Sequence, residues 1–308
     1  MLKLYLYPHA PQHVHDTISQ YRNSVSFSID GIVKHCELVG PDQAEYFYMG
    51  QYADKYAWKL HPNRFEYFKG NESRHILDIE GDWANMDIPE WLRPCMITAM
   101  NATVRERDWR VFIRPGCSML LMDMLRREIP YRPPEKIGFY FRGQPDPHGV
   151  REKLRCALLK SGLPHSFEFT NQWNAPTHTD NPEVRKFQDE MGKWSFALCP
   201  SGTGKKMTVR FYEACAMGRI PVVVGNNDWL EERIASEFKF QTFADVPEDE
   251  LMGWLNGVFM IASRPEMLRE LSETARDYFN DTVRGYFRDP TEYFLGWIKR
   301  RHPLRKDD

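Results

Sequence analysis

Between Trp194 and Gly225 the chain reads as strand, glycine loop, helix, glycine, strand, and few architectures accept that order. Trp194–Cys199 (WSFALC) and Ile220–Gly225 (IPVVVG) are near-continuous apolar runs, as expected of strands buried on both faces of a parallel sheet. Parallel neighbours need a crossover, and residues 205–217 supply one of helical length, with Gly218 as the C-cap. The unit predicts an α/β domain with helices lying on the faces of its sheet.

The same alternation runs through the remainder. Residues 2–7 (LKLYLY), 35–40, 45–49, 75–78 and 110–113 read as strands, and the stretches 51–60, 88–105 and 118–127 as helices. Tyr131–Glu135 breaks the pattern with two adjacent prolines that no helix continues through. Beyond it come a strand at 136–141, the turn Arg142-Gly143, a helix at 149–161 closed by Gly162, a strand at 166–169 and a mostly helical tail at 265–301. The expectation is two α/β domains, residues 1–132 and 133–308.

The chemistry concentrates in Cys199–Ala214. Gly202 and Gly204 lie between a buried strand and a helix start, where free backbone N–H groups and the positive helix end suit a phosphate. Lys205 and Lys206 add charge. Arg210 and Glu213, three apart, share a helix face; the Arg can fork onto a diphosphate and the carboxylate can accept ribose hydroxyls. A Walker A reading fails, because Cys199 occupies its first glycine position and Lys206 the place of its hydroxyl. Arg142 follows a strand directly, at the sheet edge where open α/β folds bind ligands.

Composition narrows the partners. With 43 acidic and 41 basic residues the net charge is −2, so no global field recruits nucleic acid, and an anion site must be local. No apolar run approaches the roughly 18 residues of a membrane span. The N-terminal run ends at Pro8, too soon for a signal segment, and the six cysteines form no CxxC pair, which reads as reduced thiols and a cytoplasmic enzyme. His9, His13, His15 and Asp16 have metal-like spacing but read as a loop after the first strand; Trp83, Trp173 and Trp229 are candidate stacking surfaces.

The stretch WSFALCPSGTGKKMTVRFYEACAMGRIPVVV resembles the exostosin-type glycosyltransferases, sharing Phe196, Leu198, Pro200, Gly202, Arg210, Glu213, Ala214, Gly218, Ile220, Pro221 and Val222 with their signature. KLYLYPHAP, PDQAEYFYMGQY and GFYFRG are looser echoes. The resemblance implies a GT-B architecture, two Rossmann-like domains facing a cleft. It also implies an inverting transfer of sugar from a nucleoside diphosphate sugar, expected to be a UDP-sugar, to a glycan acceptor, with no cofactor or metal required. Arg142, Ser201, Gly202, Gly204, Lys205, Lys206, Arg210 and Glu213 would bind the donor; Ser201 stands where the family usually has Arg. The general base would come from the acid-rich strand end HILDIEGDW, with Asp82 and Glu80 as candidates, although Gly81 replaces the family's His before Asp82. Two alternatives follow from the same residues. One is a nucleotide- or phosphosugar-binding relative without turnover; the other is a metal-dependent GT-A transferase using Asp78 and Glu80.

Overall fold

Every strand pairing among the described residues is parallel. The computed structural model describes residues 1–8, 29–53, 60–80, 89–99, 110–113, 121, 124–125, 129–145, 149–170, 182–200, 209–224 and 248–301 of the chain. These fall into two units, Met1–Pro115 with Gly285–Asp308, and Gly116–Arg284.

The first unit opens with β1 (Leu2–Leu6), α1 (Ile29–His35), β2 (Cys36–Leu38) and β3 (Tyr46–Ala53). It continues with β4 (His75–Glu80), β5 (Met96–Ala99) and β6 (Arg110–Ile113). The strand order is β2-β1-β3-β4-β5-β6. The chain leaves β1 on one side for β2 and returns on the other for β3, so the strand order switches between β1 and β3.

Two stretches differ from the sequence-based expectation. Residues 88–105 were predicted helical, but hold a 3-10 turn at Glu90–Leu92 and strand β5. Pro89 and Pro94 interrupt helical hydrogen bonding, and β-branched Ile97 and Thr98 suit a buried strand. Likewise β3 runs to Ala53, into a stretch predicted to be helical from residue 51.

The second unit runs β7 (Lys136–Gly143), α2 (Val150–Ser161), β8 (His165–Phe169), α3 (Pro182–Lys193), β9 (Trp194–Pro200) and α4 (Arg210–Ala216). It then adds β10 (Ile220–Val224), α5 (Glu248–Met260) and α6 (Pro265–Tyr278). Its order, β10-β9-β7-β8, repeats the arrangement of the first sheet, with the switch between β7 and β9. One face is buried under α2 and α5: Phe139, Phe141, Phe196, Leu198 and Val222 pack with Leu154, Leu158, Leu251 and Leu255. Strand alternation sends Tyr140 to the opposite face, where its ring meets Phe187 of α3. Gly218, at φ 64°, makes the turn from α4 to β10; a Cβ there would press on the Arg276 side chain.

Three arginines of this unit tie down the main chain ahead of β7. Arg284 donates to the carbonyls of Met124 and Leu125, Arg276 to that of Ile129, and Arg219 to that of Arg132. Arg219 and Arg276 also pack their guanidinium groups against the Tyr131 ring. The chain closes with α7 (Arg284–Arg288) and α8 (Pro290–Arg301), and α8 packs on α1 within the first unit.

Candidate functional site

In the second unit, the carboxyl ends of β7 and β9 flank the switch point, the position where open α/β sheets present ligand sites. Strand β7 ends there as Phe141-Arg142-Gly143. Arg142 lies opposite Glu168 of β8 in the ladder, and its Nε is 3.2 Å from the Glu168 carboxylate. The alignment is not that of a hydrogen bond, and the Glu168 side chain is 58% exposed, so this is a screened ion pair.

Arg210 opens α4 and reaches back across the sheet edge. Its guanidinium covers the Phe141 ring at 4.7 Å and the Phe187 ring at 5.4 Å, and its Nη2 donates to the Arg142 carbonyl at 2.5 Å. Gly143 makes this approach possible: a Cβ there would stand 3.2 Å from Arg210 Nη2 and from the tip of Phe141. Residues 68 positions apart in sequence thus meet at one strand end.

A further cation joins them that sequence reasoning missed. Arg151, in the first turn of α2, packs over Phe141 at 5.5 Å and donates to the Gln144 carbonyl at 2.5 Å. A cation in a first helical turn opposes the macrodipole, and that local violation was the available signal. Phe141 therefore carries guanidinium groups from two helices. With Arg142, three cations gather at the end of β7, an arrangement suited to an anion.

Glu213, one turn into α4 from Arg210, is 7% exposed. Cys199 is wholly buried; burial most of all, opposed by Arg210 and reinforced by Glu213, pushes its thiol up to about 12. Burial also raises Cys215, so neither thiol is a nucleophile at neutral pH. Tyr140, 2% exposed, has Arg210 and Arg142 as its first charged neighbours.

Ser201, Gly202, Gly204, Lys205, Lys206 and Asp82 lie outside the described residues, as do the His9–Asp16 cluster and Trp83, Trp173 and Trp229. Glu80 is the last residue of β4, and its side chain is likewise outside them. Asp78 is fully buried in mid-strand, accepting from Thr98 Oγ1 at 2.5 Å. Among the described residues one group has the ligand atoms for a metal ion: His35, Asp289 and Glu292. The Lys34 ammonium already sits 2.6 Å from the same Asp289 oxygen that faces His35, and the other oxygen accepts from the Glu292 N–H. The cluster is an ion-paired cap on α8.

No family model matches the chain, and no curated protein is similar to it. Among solved structures, a crystal structure described as AviGT4, a glycosyltransferase involved in Avilamycin A biosynthesis, aligns with 92% of this chain and 99% of its own length. The identity is 12% and the TM-score 0.32, too low to carry an inference to this chain. No helix among the described residues is long and apolar enough to cross a membrane.

Proposed function

We propose that this chain is an inverting glycosyltransferase of the GT-B class, moving sugar from a nucleoside diphosphate sugar, with UDP as the expected nucleotide, to a glycan acceptor. The observation that carries the reading is the meeting of Arg142, Arg151 and Arg210 at the switch point of the second sheet. In this reading the guanidinium groups hold the diphosphate and take up the charge that develops on it as the C1–O bond breaks, which needs no divalent ion. Glu213 accepts the ribose hydroxyls, and the loop carrying Ser201, Gly202, Gly204, Lys205 and Lys206 adds backbone and ammonium donors to the phosphates. The acceptor hydroxyl attacks C1 from the face opposite the leaving group and passes its proton to a carboxylate, Asp82 in first place and Glu80 in second. The nucleoside diphosphate then leaves.

The metal-dependent alternative loses support at Asp78, which is enclosed and bonded to Thr98, a poor position for a ligand to a solvent-borne ion. The test is a panel of UDP- and GDP-sugars offered with glycan acceptors. Release of nucleoside diphosphate that depends on the acceptor and persists in excess chelator is expected. Binding of nucleotide without turnover on any acceptor leaves the inactive-relative reading, and no binding at all defeats both.

A further inference from the structure

Among the buried donors of the second unit without an acceptor among the described residues, two share a wall. The hydroxyl of Tyr140 and the Nε–H of Arg210 are both shielded from solvent and have no hydrogen-bond partner among the described residues. The Tyr140 ring lies 5.8 Å from that of Phe187, and the Arg210 guanidinium covers the same ring at 5.4 Å. Buried donors are almost always paired in native proteins, and leaving one unpaired is costly. Where fold stability alone is at stake, phenylalanine at position 140 would keep the ring packing and avoid the orphan. Arg210 has its remaining interactions fixed by Arg142 and Phe141, so its Nε–H cannot turn elsewhere without giving them up.

We propose that Tyr140 is a ligand-binding residue: its hydroxyl, beside Arg210 Nε–H, donates to an anionic oxygen of the diphosphate that occupies the end of β7. The assignment rests on the donor-site reading above and adds to it a neutral donor on the α3 face of the sheet. Burial, only partly offset by Arg210 and Arg142, raises the phenol well above its ordinary range. The group is therefore a protonated donor throughout the working pH range, and it adds a hydrogen bond without a further charge. Tyrosine suits this place because the ring is held by Phe187 and the hydroxyl is carried at a fixed reach.

Tyr140→Phe separates a ligand role from a structural one, because the two predict opposite signs. Titration calorimetry of the full chain with UDP and with inorganic pyrophosphate, alongside thermal unfolding without ligand, is the experiment. Expected are an unfolding midpoint equal to or above that of the parent and affinities about fivefold to tenfold weaker for both probes. Unchanged affinity overturns the proposal. So does a lowered midpoint with intact binding, which would place the hydroxyl's partner within the fold. A loss confined to UDP would put the hydroxyl on the nucleoside and overturn the diphosphate assignment. If the parent chain binds neither probe, the donor-site reading falls and this inference with it; parent binding with an indifferent variant removes the inference alone.

Discussion

The buried His75, Tyr7, Asp78 and Thr98 of the first unit close on one another, while Tyr140 and Arg210 of the second keep donors without an acceptor among the described residues. In the first unit, His75 Nδ1 is 2.7 Å from the Asn71 carbonyl, so it must donate, and Nε2 accepts from the Tyr7 hydroxyl at 2.8 Å. The ring is packed between Phe47 and Phe68, and neither nitrogen is idle. In the second unit, Tyr140 and Arg210 keep donors unpaired within a cluster of arginines. The two sheets share strand order and switch-point position, so topology does not distinguish them. The difference lies in which polar groups are paired: a satisfied network holds a fold, and an unsatisfied one beside concentrated charge is where the proposed diphosphate would bind.

The strongest way to break this contrast is Arg210→Ala. It removes the guanidinium from Phe141, Phe187 and the Arg142 carbonyl at once, and leaves Arg142 and Arg151 without their organising neighbour. Loss of such a charge-assisted contact costs about 4 kcal/mol of binding, on the order of a thousandfold in UDP affinity. Calorimetry measures it, and Arg210→Lys should recover only part, since an ammonium cannot make the fork. An Ala variant that binds UDP within threefold of the parent would make Arg210 a packing residue and dissolve the contrast.

For the first unit the corresponding test is acid. Burial, the largest influence, lowers His75 to about 4, although the Asn71 carbonyl and Glu72 pull the other way. Its folded pKa lies below the ordinary 6.5, so the unfolded chain takes up the proton first. The stability it contributes is complete above pH 6.5 and is lost as the pH falls from about 6.5 to about 4. The loss amounts to roughly 3 kcal/mol. Urea unfolding at pH 7 and 4.5 should show this slope in the parent and a much flatter one in Tyr7→Phe/His75→Phe, which removes donor and acceptor together. Equal slopes in both would show that His75 takes up its proton as readily in the fold as in the unfolded chain.

How much of this was legible in the sequence depends on the range of the interaction. Arg210 and Glu213 stood out because helix spacing and the flanking buried strands are local patterns, and Arg142 because it ends a strand. Arg151 was visible only as a cation in the wrong turn of a helix. Tyr140 carried no signal, since its importance comes from the partner it lacks and from Phe187, 47 positions away. Strand β5 was misread because MITA is short and follows closely on Pro89 and Pro94, where propensity and period offer too few residues to decide. The matching switch points could not be read at all, because strand order is set by crossovers that composition does not encode.

A smaller effect sharpens the second unit's side of the comparison. Glu213→Gln keeps the buried shape and replaces a charged acceptor by a neutral one, so UDP affinity should fall about tenfold with little change in the unfolding midpoint. Titration with UDP and with pyrophosphate separates the causes: a ribose contact weakens only the first. Equal weakening of both probes would move Glu213 from the ribose to the phosphate network.

The smallest effect expected lies in the first unit, at the join of its two chain ends. Asp289 precedes Pro290 at the start of α8, accepts the Glu292 N–H at 3.0 Å and meets Lys34 and His35 of α1. Burial pushes its carboxyl upward, but the bonds from Lys34, the Glu292 N–H and His35 together outweigh this and bring it to about 2. The folded value lies below the ordinary 3.8, so the contribution is present above that pH and is lost as the pH falls towards 2. Asp289→Asn keeps the cap on the Glu292 N–H and removes the charge together with the acceptor that Lys34 and His35 share. It should therefore cost about 1 kcal/mol or less at pH 7, because the Lys34 side chain is 67% exposed and screened. The gap between parent and variant in urea unfolding should shrink in 1 M salt and close near pH 2. A gap that survives both conditions would mean that the Asp289 hydrogen bonds, and not its charge, join α1 to α8, and the first unit would then hold its ends by the same neutral pairing that seats His75.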